Sequence, residues 1–191
     1  MALKQSRMLA LVTPVPEFTL PDAFGKMHSP SQYADSLALL VAFICNHCPY
    51  VQHILEGFAS FANEYQARGL TTVAISSNDV EAYPQDGPAE MARVAKKYGF
   101  TFPYLYDESQ AVAKAYQAVC TPDLFLFDGD RRLVYRGQFD GSRPGNGIPV
   151  TGADLRTAVD AVLKGAPVPA NQTPSAGCSL KWKGGNEPEW A

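Results

Sequence analysis

One nine-residue segment restricts the fold more than any other part of the chain. Ser36 to Ile44 reads SLALLVAFI and is almost continuously apolar. A strand of this kind fits the centre of a parallel or mixed sheet that is covered on both faces. After Pro49, apolar residues recur at three- and four-residue intervals as far as Tyr65, which predicts a helix that ends near Gly69. A strand-to-helix junction is therefore expected just before Pro49.

Strand-like and helix-like segments alternate along the rest of the chain, which predicts an α/β fold. The predicted segments are 36–44 (strand), 49–69 (helix), 70–76 (strand), 89–98 (helix), 102–106 (strand), 109–118 (helix), 124–139 (hairpin) and 151–163 (helix). This order resembles a thioredoxin core, in which helices flank a central mixed β-sheet. One domain with an N-terminal extension is predicted over residues 1–165. The Pro- and Gly-rich tail, residues 166–191, is predicted to be extended and to pack on the same domain.

The motif Cys45-Asn46-His47-Cys48 falls at the predicted junction. Free N–H groups and the helix dipole at a helix N-terminus favour a thiolate over a thiol. We predict that Cys45 is the more exposed sulfur and the attacking nucleophile, and that Cys48 resolves the mixed disulfide from the first helical turn. His47 lies beside both sulfurs and is predicted to make Cys45 more acidic.

Two other interpretations of this C-x-x-C pair stay open. The pair can be part of a metal site with His47, although neither a second C-x-x-C nor an H-x-x-x-H follows in the sequence. It can also be two inert core cysteines, although both would then lie at a helix start. The preferred interpretation requires neither a cofactor nor a metal ion.

Several segments resemble one known group of proteins. Phe43–Val51, Ile75–Asp79, Phe102–Glu108, Thr121–Asp128 and Gly177–Lys183 are similar to the peroxiredoxin-like branch of the thioredoxin superfamily, also labelled redoxin or AhpC/TSA-like. The resemblance covers nearly the whole chain. It implies a thioredoxin fold with an N-terminal extension, and an oxidoreductase or antioxidant activity.

The chain departs from this group at the cysteine motif. Peroxiredoxins have a threonine three residues before the peroxidatic cysteine. Aligned on that pattern, Cys48 takes the peroxidatic position and Cys45 replaces the threonine, while Val41 and Ala42 offer no substitute hydroxyl. The resemblance therefore implies Cys48 as the nucleophile toward peroxide, whereas disulfide exchange would use Cys45.

Thr121 and Pro122 precede the strand predicted from Leu124. In the thioredoxin plan the proline at this position is cis and faces the C-x-x-C pair, and the residue before it offers its backbone to an extended substrate. We therefore expect both residues beside Cys45, with an ordinary trans turn proline as the alternative.

Two further cysteines are candidate redox thiols. Cys120 is expected near the site because it precedes Thr121, and an inert buried thiol is the favoured interpretation. Cys178 falls in the tail, and two roles stay equally open for it: an additional resolving thiol, for which it is expected to be exposed, or a packing anchor together with Leu180 and Trp182.

Composition argues against some partners. The net charge is −3, from 16 basic and 19 acidic residues without a basic stripe, which argues against nucleic acid. No run of 18 apolar residues predicts a membrane span, and the stretch from Met8 to Val12 is too short for a signal-peptide core, so a cytoplasmic location is expected. Arg136 and Arg143 are interpreted as solvated surface, with binding of an anionic substrate as the alternative. Asp79, Glu81 and Asp86 are interpreted as a polar loop.

The sequence thus supports three hypotheses about function. The first is a thiol–disulfide oxidoreductase that uses a Cys45/Cys48 couple, with a protein disulfide or a peroxide as substrate and a cellular thiol as reductant. The second is a thiol peroxidase in which Cys48 attacks peroxide and Cys45 or Cys178 resolves. The third is a non-enzymatic metal-handling or redox-sensing protein that uses Cys45, His47 and Cys48. A homodimer is compatible with each.

Overall fold

The computed structural model describes residues 3–191 and is built around a five-stranded sheet. Met1 and Ala2, the first residues of the predicted domain, lie outside the described residues. The strands are β1 (Leu3–Gln5), β2 (Leu20–Pro21), β3 (Met27–His28), β4 (Ala38–Phe43), β5 (Leu70–Ser76), β6 (Tyr104–Tyr106), β7 (Cys120–Thr121), β8 (Asp123–Phe127), β9 (Leu133–Gly137) and β10 (Ala176–Ser179). The helices are α1 (Pro49–Gln66), α2 (Pro88–Tyr98), α3 (Ala111–Ala115) and α4 (Ala153–Leu163).

The main sheet is mixed, as the sequence predicts. Its strand order is β6-β5-β4-β8-β9. β4, β5 and β6 run parallel, whereas β8 pairs antiparallel with β4 and with β9. Because β4 and β5 are parallel neighbours, the loops that follow them leave the same edge of the sheet, and this edge carries the cysteine motif.

β4 lies at the centre of this sheet because both of its faces are covered. All six of its residues are 0 % exposed. Its odd-numbered residues, from Leu39 to Phe43, belong to one apolar cluster. Its even-numbered residues, from Ala38 to Ala42, belong to the other cluster, as the two-residue period of a strand requires. The nearly continuous apolar segment therefore forms the predicted central strand, slightly shorter than the prediction at both ends.

α1 follows β4 after a short connection and fixes the end of the cysteine motif. Cys48 is its N-cap and Pro49 its first residue, a position where the missing proline N–H costs nothing. The apolar face predicted from the sequence is buried and comprises Val51, Ile54, Leu55, Phe58, Ala59, Phe61, Ala62 and Tyr65. The helix ends at Gln66, and Gly69 turns the chain into β5 with φ +102°. Within residues 3–191, no helix is both long and apolar enough to cross a membrane.

The two ends of the chain meet in a second, three-stranded sheet next to this junction. β10 lies between β1 and β7 and is antiparallel to both. In this sheet Cys178 pairs with Leu3 on one side and with Thr121 on the other. The tail thus contains a strand that reaches the residues expected beside the cysteine motif.

Candidate functional site

The two cysteines of the motif meet at Thr121. Cys45 comes two residues after the end of β4, and Cys48 caps α1. The sulfur of Cys45 is 3.4 Å from the hydroxyl oxygen of Thr121. The sulfur of Cys48 is 3.1 Å from the carbonyl oxygen of the same residue. The Thr121–Pro122 peptide bond is cis, as predicted.

Both residues are buried, so exposure does not distinguish the two sulfurs and does not identify Cys45 as the attacking one. Cys45 is 1 % exposed and Cys48 0 %. On one side the loop that carries Asp86 binds the backbone of the motif. Strand β10 pairs Cys178 with Thr121 and places it in the same buried cluster as Cys45 and Cys48. The sequence pattern of a strand-to-helix junction contains no information about either covering segment.

The ionisation of the pair is also opposite to the prediction. The pKa of Cys48 is lowered to about 5, first because the Cys45 thiol donates a hydrogen bond to it. Burial opposes this shift, but three further donors support it, namely the Cys178 thiol, the Thr121 hydroxyl and the Val51 backbone N–H. The Thr121 carbonyl oxygen, 3.1 Å from the Cys48 sulfur, is an acceptor and favours the protonated form, so it opposes the shift.

The pKa of Cys45 is raised well above its ordinary value, first by its hydrogen bond with Cys48, then by burial and by the negative charge of Asp86. The arrangement therefore holds a thiolate on Cys48 and a proton on Cys45. The pKa of Cys45 is thus raised, where the sequence predicted a more acidic Cys45 through His47; the Asp86 carboxylate that binds His47 is one of the groups that raise it.

Asp86, interpreted from the sequence as part of a polar loop, is buried and makes hydrogen bonds to the site. It is 0 % exposed. One oxygen accepts hydrogen bonds from the backbone N–H groups of Asn46 (2.8 Å) and His47 (3.2 Å). The other oxygen lies 2.6 Å from Nδ1 of His47 and accepts a 2.8 Å bond from the Asn78 amide. The ring of Tyr83 stacks on His47 at 5.0 Å.

Asp86 thus fixes the backbone of the motif and the orientation of the imidazole. The signal that could have located it is topological: it follows β5, whose end meets the end of β4 at one edge of the sheet. Carboxylates in such loops are brought together with the motif by the parallel pairing, although they are distant in sequence.

One set of side chains has the composition of a metal site. Ligand atoms of Cys45, His47 and Asp86 lie within 4.8 Å of one another. This set contains Asp86 in place of Cys48, which the sequence had suggested as a ligand. The acceptor sites of Asp86 are already engaged by four donors, and Cys45 is held as a thiol, so metal binding would require both groups to rearrange.

The two remaining cysteines are buried in different surroundings. The thiol of Cys120 donates a long hydrogen bond of 3.6 Å to the Pro122 carbonyl, and burial raises its pKa well above the ordinary value. Cys178 is 4 % exposed, so it is not the exposed thiol that the sequence predicted for a resolving role. It is a free thiol that lies in the same buried cluster as Cys48. The structure therefore brings Cys45, His47, Cys48, Thr121 and Cys178 together.

Arg136 is buried, which corrects its assignment to solvated surface. It is 0 % exposed and lies 3.8 Å from the equally buried carboxylate of Asp123. Its guanidinium stacks over the ring of Phe125 at 5.0 Å. The Ser6 hydroxyl, next to β1, donates a 2.5 Å hydrogen bond to Asp123. The residue that follows Pro122 is therefore part of a buried ion pair, and Ser6 links this pair to the N-terminal segment.

The comparisons with known proteins agree with this architecture. Residues 12–136 match the AhpC/TSA family. The structure is similar to a hypothetical protein from Sinorhizobium meliloti 1021 (55% identity, TM-score 0.94, 95% of this chain and 99% of the other). It is also similar to an uncharacterized conserved protein from Geobacillus kaustophilus (50% identity, TM-score 0.93, 96% and 97%).

A more distant similarity identifies the fold. A thiol:disulfide interchange protein of the thioredoxin family from Chlorobium tepidum TLS superposes with a TM-score of 0.60 at 20% identity, over 82% of this chain and 97% of the other. No curated protein matches the sequence. The predicted thioredoxin fold is confirmed.

Proposed function

The chain belongs to the AhpC/TSA family, and from this premise we propose that Cys45 and Cys48 form a dithiol–disulfide couple that is oxidised by a small hydroperoxide. Family and fold support a thiol-based redox activity. The feature that carries the finer proposal is the opposite direction of the pKa shifts of two sulfurs that both lie against Thr121, lowered for Cys48 and raised for Cys45. A nucleophile and its resolving partner are then already in contact.

Cys48 performs the first step in this proposal. Its thiolate attacks one oxygen of the hydroperoxide, the O–O bond breaks, and Cys48 becomes a sulfenic acid while the alcohol or water departs with a proton. The Cys45 thiol then attacks the Cys48 sulfur, an S–S bond forms, and the sulfenic oxygen leaves as water. A cellular thiol reductant returns two electrons to the disulfide and completes the cycle.

Burial favours a small oxidant in this first step. With Cys48 0 % exposed, a sulfur of a folded protein disulfide cannot reach it without displacing β10 or the loop of Asp86. A hydroperoxide needs much less space. The Thr121 hydroxyl, from another part of the chain, lies 3.4 Å from the Cys45 sulfur and also contributes to the lowered pKa of Cys48, so it supplies a donor that the residues around the motif lack.

The experiment is stopped-flow oxidation of the reduced protein by hydrogen peroxide, followed by mass mapping of the cysteines. We expect fast oxidation of the wild type and a Cys45–Cys48 disulfide. Cys48→Ser should lose the fast phase, while Cys45→Ser should retain it. Cys120→Ser, which changes a buried thiol outside these contacts, is the matched control and should behave as wild type. Wild-type oxidation no faster than that of free cysteine would refute the proposal.

A second candidate is exchange with protein disulfides, in which Cys45 attacks. The supporting observation is the position of Thr121 and Pro122 beside the pair, where the backbone of Thr121 can meet an extended substrate. Reduction of insulin disulfides separates the two functions. Loss of insulin reduction in Cys45→Ser, together with slow peroxide oxidation of the wild type, would favour exchange.

A further inference from the structure

Cys178 occupies a position that the couple of Cys45 and Cys48 does not use. It lies on β10 directly opposite Thr121, the residue that contacts both sulfurs of the motif. It belongs to the same buried cluster as Cys45 and Cys48, and its thiol contributes to the lowered pKa of Cys48, as the Cys45 thiol does. Cys48 is therefore the common partner of two other thiols.

The close approach of β10 to Thr121 depends on Gly177, the residue before Cys178. A Cβ on Gly177 would lie 2.0 Å from the carbonyl oxygen of Thr121 and 2.7 Å from its carbonyl carbon, both backbone atoms. No side chain fits there, so glycine allows β10 to pack against Thr121 at this distance. The contact between Cys178 and Cys48 is thus built into the backbone of the tail.

Anchoring of the tail does not explain this contact. Leu180 is buried in the apolar cluster on the opposite side of the main sheet, and Trp182 packs against that same cluster. Cys178 instead belongs to the cluster that contains Cys45 and Cys48. The two roles that the sequence left open are therefore separated in space, since the anchors lie on one side and the thiol on the other.

We propose that Cys178 is a second resolving thiol, so that Cys48 forms a disulfide either with Cys45 or with Cys178. This inference rests on the proposed function for its oxidant, a hydroperoxide. Starting from the Cys45–Cys48 disulfide, the Cys178 sulfur attacks Cys48 as its proton is lost. The Cys48–Cys178 bond forms, the Cys45–Cys48 bond breaks, and Cys45 leaves as a thiolate that takes up the proton. The exchange consumes no further oxidant, and its product ties β10 to the start of α1.

In the reduced state the raised pKa of Cys178 keeps it protonated, so it is a poor nucleophile. Burial raises its pKa to about 12, and the hydrogen bond and negative charge of Cys48 contribute to the shift. Oxidation of Cys48 removes both contributions of that thiolate. Burial is then the remaining cause that raises the pKa of Cys178, and the nearby positive charge of Lys181 continues to lower it. Cys178 therefore becomes a better nucleophile once Cys48 has been oxidised.

The test uses the full-length Cys45→Ser variant, in which the competing disulfide cannot form. Diamide, an oxidant that joins thiols without peroxide, is added to the reduced variant, and the products are mapped by mass spectrometry. We expect an intramolecular Cys48–Cys178 disulfide in Cys45→Ser and equally in Cys45→Ser/Cys120→Ser. Oxidised Cys45→Ser in which Cys48 carries only adducts or intermolecular disulfides, with Cys178 still reduced, would overturn the proposal.

A peroxide arm measures the protective effect of the second partner. Cys45→Ser/Cys178→Ser should accumulate several-fold more Cys48 sulfinic acid than Cys45→Ser at the same peroxide dose. Equal yields would contradict a resolving role. Should Cys45→Ser fail to fold by circular dichroism, partially oxidised wild type is mapped instead, and a mixture of Cys45–Cys48 and Cys48–Cys178 disulfides is expected. Without the second pair in that mixture the proposal is wrong.

The two proposals can fail separately. Slow oxidation of the wild type by peroxide refutes the hydroperoxide activity, whereas the diamide experiment reports only which sulfurs can pair. A Cys48–Cys178 disulfide formed with diamide but not with peroxide would therefore remove the proposed oxidant and retain the pairing.

Discussion

Replacing Thr121 with valine should raise the pKa of Cys48 by a predictable amount. The change keeps the shape of the side chain and removes the hydroxyl that donates to the Cys48 thiolate. A hydrogen bond to a charged group contributes about 1.5–3 kcal/mol, and one pKa unit corresponds to about 1.4 kcal/mol, so the expected rise is about 1–2 units. From the wild-type value of about 5, the pKa of Cys48 in Thr121→Val should reach about 6 to 7.

The assay is a pH titration of protein labelled with ¹³C at the cysteine Cβ atoms, followed by NMR. This measurement needs no reagent to reach a buried sulfur, and the signals are assigned from the single cysteine variants. The peroxide reaction of Thr121→Val should lose rate below the new pKa, where the thiolate becomes protonated.

Two controls accompany this variant. Thr121→Ser restores a hydroxyl and should return the pKa of Cys48 toward the wild-type value. Thr72→Val removes another buried hydroxyl, whose oxygen has no hydrogen-bond partner within residues 3–191, and should leave the titration unchanged. An unchanged midpoint in Thr121→Val, or a shift of the same size in Thr72→Val, would refute the assigned role of the hydroxyl.

Three further predictions concern stability. Because the folded-state pKa of Cys48 lies below its ordinary value of 9.0, the thiolate stabilises the fold fully above pH 9.0. In urea denaturation, the advantage of wild type over Cys48→Ser should shrink by about 1.4 kcal/mol per pH unit as the pH falls toward about 5; a gap independent of pH would contradict this. Asp86→Asn should lower the free energy of unfolding, measured in urea, by about 3 kcal/mol, because charge-assisted hydrogen bonds are lost. It should also lower the pKa of Cys45 in the NMR titration, and wild-type values of both quantities would show that the carboxylate is dispensable. Gly177→Ala should destabilise the protein by about 3 kcal/mol and lower Tm by roughly 10 °C. Gly184→Ala is the control and should match wild type, because the space around its new Cβ is open. Equal Tm values for the two variants would contradict the close approach of β10 to Thr121.

The main sheet and the helix behind the motif could be predicted because local patterns determine them. The apolar run from Ser36 to Ile44 permits few places other than a sheet centre, and the spacing after Pro49 defines one face of α1. The position of Thr121 and Pro122 beside the cysteines came from the resemblance to the thioredoxin plan.

The chemistry of the pair could not be predicted, because it depends on residues that are distant in sequence. Asp86 and Cys178 reach the motif only through tertiary packing, and each adds to the difference between the pKa values of Cys45 and Cys48. A helix N-terminus alone favours the thiolate on either cysteine. The burial of Arg136 was missed for the same reason, since its partner Asp123 lies on a neighbouring strand.

The position of β10 has a consequence for the order in which the protein is made. Synthesis proceeds from the N-terminus, so Cys45, Cys48 and Thr121 leave the ribosome well before residues 176–179 do. β1 emerges first of all, yet the strand that separates it from β7 is among the last segments to emerge. The cysteine pair of a growing chain is therefore uncovered on its β10 side, and the completed tail closes the site and adds the third thiol in a single event.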